Sequence, residues 1–168
     1  NAAKGYGSSD PVFTVKEARG LHSGDSIVDI NRSNRSENVG SYAIDQYVID
    51  DGNGGNNYNV VSFTAGQLII SSKVLSISID NTEFTYNGGY QYATAYSVDG
   101  LEIGDVITDL TVEGVKDAGV YSIAATGVVI ENNGVDVSGN YMISFVRNIN
   151  NVTVKAADVR IKAADVNA

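Results

Sequence analysis

The chain alternates short apolar runs with joints of glycine, asparagine and aspartate. Within the runs Val, Ile, Tyr and Thr interleave with polar residues at the period of two that gives a strand one inward face. The pattern predicts strands over residues 12–15, 26–30, 42–49, 58–63, 66–70, 74–79, 90–98, 106–112, 121–130, 141–146, 152–155 and 159–162. Residues 64–65 read as the turn of a hairpin. Residues 16–21 have room for one short helical turn, limited by Gly20 and Gly24. Residues 31–38 and 50–57 are polar loops, and Asp10 before Pro11 reads as a turn. Helical runs of Leu, Ala, Glu and Lys are missing, so the fold class is mainly β. Strands alone do not separate an immunoglobulin-like sandwich from a β-grasp-like fold with one short helix.

The pattern is written twice. Gly20, Leu21, Gly24 and Asp25 return 80 residues later as Gly100, Leu101, Gly104 and Asp105. Gly40 and Tyr42 return as Gly119 and Tyr121 after 79 residues, Tyr6 as Tyr86 after 80, and Tyr58 as Tyr141 after 83. Anchors in one order at near-constant spacing mark a tandem module. The boundaries that follow are 1–71, a β domain lacking its first strand, then 72–157, then 158–168.

The copies differ at their ends. The second has the strand 74–79 ahead of Tyr86, whereas only five residues precede Tyr6. The tail Val159-Arg160-Ile161-Lys162 is a surplus strand after the second copy. If Asn167-Ala168 stands where the next copy's Asn1-Ala2 would, Val159 precedes the next tyrosine at almost the spacing of Val74 from Tyr86. The tail therefore reads as the first strand of a following unit, within a longer array or donated to another copy of this chain. A unit without that strand has a sheet edge that folded proteins cover, and strand addition is one way to cover it.

Charge narrows the partners. Eleven Lys and Arg against 20 Asp and Glu give a net charge of −9. Nucleic acid needs a basic patch, so neither it nor an anionic membrane is expected as a partner. No apolar run approaches the roughly 20 residues of a membrane helix. The 168 residues contain no cysteine, which fits bacterial or archaeal surface proteins better than disulfide-stapled secreted ones. Asn1-Ala2-Ala3-Lys4 has no signal-peptide pattern, so the chain reads as a mature protein or an internal piece.

No residue set calls for catalysis. His22 is the single histidine and Glu102 replaces it in the second copy, so it reads as a surface residue; Ser23 and Asp25 beside it do not make a triad. Loops 50–57 and 131–140 carry the oxygen groups that calcium takes. After Asp51 and Asn53, however, comes Gly55, and Ser62 stands where a calcium loop has its glutamate; turn chemistry is expected, with no cofactor. A lysine-to-asparagine crosslink is conceivable in a cysteine-free fibre, with no pair legible. Asn31, Asn34 and Asn151 head N-glycosylation patterns. The recurring tyrosines Tyr6, Tyr42, Tyr86 and Tyr121 read as core anchors rather than sugar platforms.

The ordered motifs resemble two related domain families of bacterial surface proteins, the MBG domain of YGX type and the YDG domain. The first copy carries the resemblance in Tyr6-Gly7-Ser8 with Asp10-Pro11, Gly20-Leu21 with Gly24-Asp25, residues 37–44, Asn57-Tyr58 and residues 66–70. The second carries it in Tyr86-Asn87-Gly88. It departs from the pattern in the absent first strand and the charged loop 32–35. The resemblance implies tandem stalk or spacer domains of large secreted adhesins, with no catalytic residues. The expected function is a non-enzymatic extracellular module of a fibre or stalk that joins head to tail with copies of itself. The competing reading is a binding module that recognises a glycan or host protein through its loops.

Overall fold

The computed structural model describes residues 1–165. The chain is mainly β, and the 3-10 turn Ser138–Asn140 is the sole helical element among the described residues. It divides into two compact units, Asn1–Lys73 with Gly139–Met142, and Val74–Ser138 with the chain from Ile143 onward.

The first unit contains β1 (Ala2–Gly5), β2 (Ser26–Asn31), β3 (Gly40–Ile44), β4 (Gln46–Asp50) and β5 (Gly66–Ser71). In one sheet β5 lies between β1, parallel to it, and β3, antiparallel. Along β5 buried Leu68 and Ile70 alternate with exposed Gln67 and Ile69, so one face supplies the core with Tyr6 and Ile44. β2 and β4 pair separately, with an irregularity after Val28 where Asp29 takes a positive φ of 48°. Segment Gly139–Met142 completes the unit. Its Tyr141 meets Tyr6 edge-on at 5.4 Å, and Asn140 accepts from the Val39 amide and donates to Asn38.

The remaining strands are β6 (Lys73–Ile79), β7 (Thr82–Thr85), β8 (Tyr96–Asp99), β9 (Val106–Val112), β10 (Gly119–Tyr121), β11 (Ala125–Asn132), β12 (Val135–Asp136), β13 (Tyr141–Val146) and β14 (Val152–Lys155), and they belong to the second unit apart from Lys73 at the start of β6 and Tyr141 and Met142 at the start of β13. Asn133 and Gly134, both at positive φ, turn β11 into β12, the residue pair that a two-residue hairpin loop favours.

Two sheets repeat between the units. The order β7-β14-β10 answers β1-β5-β3, and the β9–β11 pair answers β2–β4. Even the register repeats: Leu68 pairs with Ala2 and Tyr42, and Val152 with Thr82 and Tyr121. The second unit has one sheet more, β13-β6-β8, with β6 in the middle. Leu75, Ile77 and Ile79 of β6 are fully buried. No sheet of the first unit corresponds to it among the described residues.

Several expected elements are corrected by this. Residues 12–15 and 58–63 form no strand, residues 64–65 close no hairpin, and residues 16–21 form no helical turn. Of residues 90–98 only the end is strand, in β8. Residues 159–162 are exposed and form no strand; Asn167 and Ala168, aligned above with a following copy, lie outside the described residues.

Candidate functional site

The recurring motifs are structural devices with the same geometry in both units. The Tyr42 hydroxyl donates to the Asn38 carbonyl at 2.7 Å, and Tyr121 donates to the Asp117 carbonyl at 2.7 Å. Each ring reaches back four residues across a glycine. A Cβ on Gly40 would stand 3.3 Å from the Tyr42 hydroxyl, and one on Gly119 would stand 3.5 Å from the Tyr121 ring. That crossing is why a glycine sits two residues before each tyrosine. The turn after Leu21 is closed by the Asp25 amide on the His22 carbonyl at 3.2 Å, and the turn after Leu101 by Asp105 on Glu102 at 3.1 Å. His22 thus acts through its backbone, and its amide also donates to the Tyr58 hydroxyl. Tyr58 in turn donates to Asp25, which pushes its hydroxyl above the ordinary value. Of the four tyrosines expected as core anchors Tyr6 is buried, Tyr42 and Tyr121 are half-buried, and Tyr86, 40% exposed, departs from that expectation.

The charged loop departs further. Arg32, expected on the surface, is the largest fully buried side chain among the described residues. Its guanidinium forks onto Asp10 at 2.7 and 3.1 Å, donates to the carbonyls of Asn34 and Ser36, and contacts Glu37. Its cation lies 5.4 Å over the Tyr42 ring. Lys4 joins the cluster, 2.7 Å from Asp10 and in contact with Glu37. Lysine beside two carboxylates is the constellation a covalent crosslink would need, but the protonation states oppose condensation. The Arg32 hydrogen bonds hold the Asp10 carboxyl at about 2. Burial works to discharge Lys4, yet its bonds to Asp10 and Glu37 outweigh this and raise its pKa. An ammonium facing a carboxylate is an ion pair and not a nucleophile facing an acyl group. The cluster ties β1 to the loops before β3.

The loop chemistry is likewise internal. Asp51 accepts from the amides of Asn53, Gly55 and Asn57 at 2.8–3.1 Å, and these bonds, Gly55 foremost, lower its pKa. Its oxygens close a turn. Asn151 is 1% exposed and bonds the Ile79 and Ile123 carbonyls and the Ile123 amide, so it offers no side chain for glycosylation.

What remains is a groove in the first unit, about 310 Å³, lined by Phe13, Val15, Ala18, Leu21, Ile27 and Ile30 among others. Val12, next in sequence to the lining residue Phe13, is 91% exposed. In the second unit β8 answers residues 16–19 and β13 answers residues 58–63, and these two strands flank β6. Gly20 and Gly100 measure the difference. Both hold φ near 90°, at 89° and 93°. A Cβ on Gly100 would stand 2.2 Å from the Val74 carbonyl of β6, whereas one on Gly20 would meet nothing within 4 Å among the described residues. The sequence marked the absent strand but missed the groove residues, whose signal was the unpartnered apolar run 12–15.

The candidate donor strand, Val159-Arg160-Ile161-Lys162, exposes Val159 by 79% and Ile161 by 87%. No curated protein and no solved structure matches the chain. Residues 1–69, nearly the whole first unit, match the family model of the MBG domain (YGX type).

Proposed function

We propose that the chain is a non-enzymatic extracellular module of a surface fibre or adhesin stalk. Its copies join head to tail, residues 159–162 of one becoming a strand in the first unit of the next. One observation carries the reading: the second unit is centred on β6, and the first repeats the second's other two sheets without that strand. An exposed apolar segment and an apolar groove on the same chain are complementary, and adding a strand satisfies backbone and side chains together. MBG domains occur in surface adhesins, which supports the location, and the net charge of −9 favours solubility over nonspecific association. The test is negative-stain electron microscopy with light scattering on residues 1–168 and on a chain ending at Ala157. Fibres from the first alone support the reading, and monomers from both refute it.

A second reading has its own observation. Tyr90 and Tyr92, 67% and 56% exposed, flank Gln91, whose backbone bridges Val115 in both directions. A Cβ on Gly114 would stand 2.7 Å from the Tyr92 ring, so glycine lets the rings lie there. Exposed phenol rings present an apolar face and a polar tip, suited to stacking on a neutral sugar. Titration with neutral oligosaccharides, followed by the NMR signals of these two tyrosines, supports glycan binding if they shift and excludes it at this patch if they do not.

A further inference from the structure

We infer that the acceptor is the groove of the first unit lined by Phe13, Val15, Ala18, Leu21, Ile27 and Ile30, and that Val159, Ile161 and Ala163 of a second copy take there the places held in the second unit by Leu75, Ile77 and Ile79. This rests on the head-to-tail reading and adds the seat and the register of the strand.

The register follows from the repeat. Leu68 and Val152 hold equivalent places, each paired with the tyrosine of the Gly-x-Tyr strand. From Ser71, the end of β5, the chain takes two residues to reach the start of β6 at Lys73. The same step from Lys155, the end of β14, reaches Ala157. Counting on, Val159 falls on Leu75, Ile161 on Ile77 and Ala163 on Ile79. The β6 residues alternate fully buried positions with partly covered ones, and the tail carries that alternation, with Arg160 and Lys162 between its apolar residues.

The acceptor repeats equally. β8 corresponds to residues 16–19, and β6 pairs antiparallel with β8, Ile77 opposite Val98 and Ser78 opposite Ser97. Carried over, Ile161 stands opposite Ala18, and Lys162 opposite Glu17. Arg160 stands opposite Arg19, whose charge Glu17 already neutralises in a surface ion pair. Gly20 supplies an independent mark. At Gly100 the β6 backbone passes so close that only glycine fits, and in this register the carbonyl of Asp158 passes Gly20 in the same way. Residues 16–19 and 58–63, which answer β8 and β13, form no strand in the isolated chain, as expected of residues whose central hydrogen-bonding partner comes from elsewhere.

The chain has no cysteine, which makes crosslinking clean. Residues opposed across antiparallel strands have Cα atoms about 4.5–5.5 Å apart, within the range a disulfide spans. The full-length chain carrying Ala18→Cys and Ile161→Cys is oxidised mildly and run without reductant. Ala18→Cys with Lys162→Cys is the control, because a one-residue slip turns the side chain to the other face. All three positions are exposed, so the fold tolerates the changes. A covalent ladder at least about tenfold stronger for the first pair than for the control supports the register. Equal ladders, or a crosslink confined within single chains, overturn it. Fibres by microscopy without a ladder refute this seat while leaving head-to-tail assembly standing, and neither fibres nor ladder refutes both.

Discussion

Gly20 and Gly100 allow one substitution to be compared in two settings that differ by a single strand. Alanine at either position is forced to a φ near +90°, at a cost of about 1–2 kcal/mol. Loss of glycine's freedom in the unfolded chain offsets about 0.4–1 kcal/mol of that. Gly100→Ala also drives a methyl to 2.2 Å from the Val74 carbonyl, and β6 must move. Overpacking of this kind costs about 1–3 kcal/mol more. Gly20→Ala, with open space in the isolated chain, should therefore cost about 1 kcal/mol, and Gly100→Ala about 2–4 kcal/mol. Thermal unfolding followed by circular dichroism resolves the gap, because 1 kcal/mol moves the midpoint of a domain this size by about 4–8 °C. Equal losses would refute the reasoning, since the strand over Gly100 would then have no energetic presence. In the joined state the expectation reverses for Gly20. There Gly20→Ala should abolish multimers in a chain that remains folded, and wild-type multimer yield would show that no strand crosses that position.

Asn151→Ala should destabilise the second unit by about 3 kcal/mol, because it strands two carbonyls and an amide in a buried place; urea unfolding checks it, and a loss below about 1 kcal/mol would contradict the bonding described. Asp10 has its folded-state pKa depressed to about 2 from the ordinary 3.8, so its stabilisation is complete above about pH 4 and lost as pH falls from about 4 to 2. Its edge is open to water, which reduces the contribution to about 1–2 kcal/mol. Asp10→Asn should flatten the acid limb of stability against pH, and an unchanged limb would place the acid sensitivity elsewhere.

Much of this was legible in the sequence. Strands 74–79, 141–146 and 152–155 appear at or within one residue of their expected bounds, because each has a partner in the same chain and an alternation to orient it. Residues 58–63 have equal β propensity but, unlike their counterpart β13, pair with no strand, and propensity in a strand is largely the fit to neighbours; residues 12–15 answer 92–95, which form no strand either. Residues 90–98 lost most of their strand because Gln91 makes one isolated bridge to Val115 before the chain reaches β8. Arg32 departs from expectation for a different reason. A charged residue in a polar loop reads as solvated, and nothing local announces that Asp10, 22 residues away, will meet it. The Gly-x-Tyr repeat was visible as a pattern, but the backward hydrogen bond that explains it was not.

The parallel pairing of β1 with β5, and of β7 with β14, has a consequence for a chain under tension. In each unit the first strand of the repeated sheet lies beside the last and points the same way. Pulling the start of one against the end of the other slides the strands lengthwise, so their evenly spaced, slanted bonds bear the force together. An antiparallel hairpin pulled at its two open ends would instead unzip, its bonds breaking in succession. The fold thus sets these bonds in shear whenever a unit is pulled between its first and its last strand.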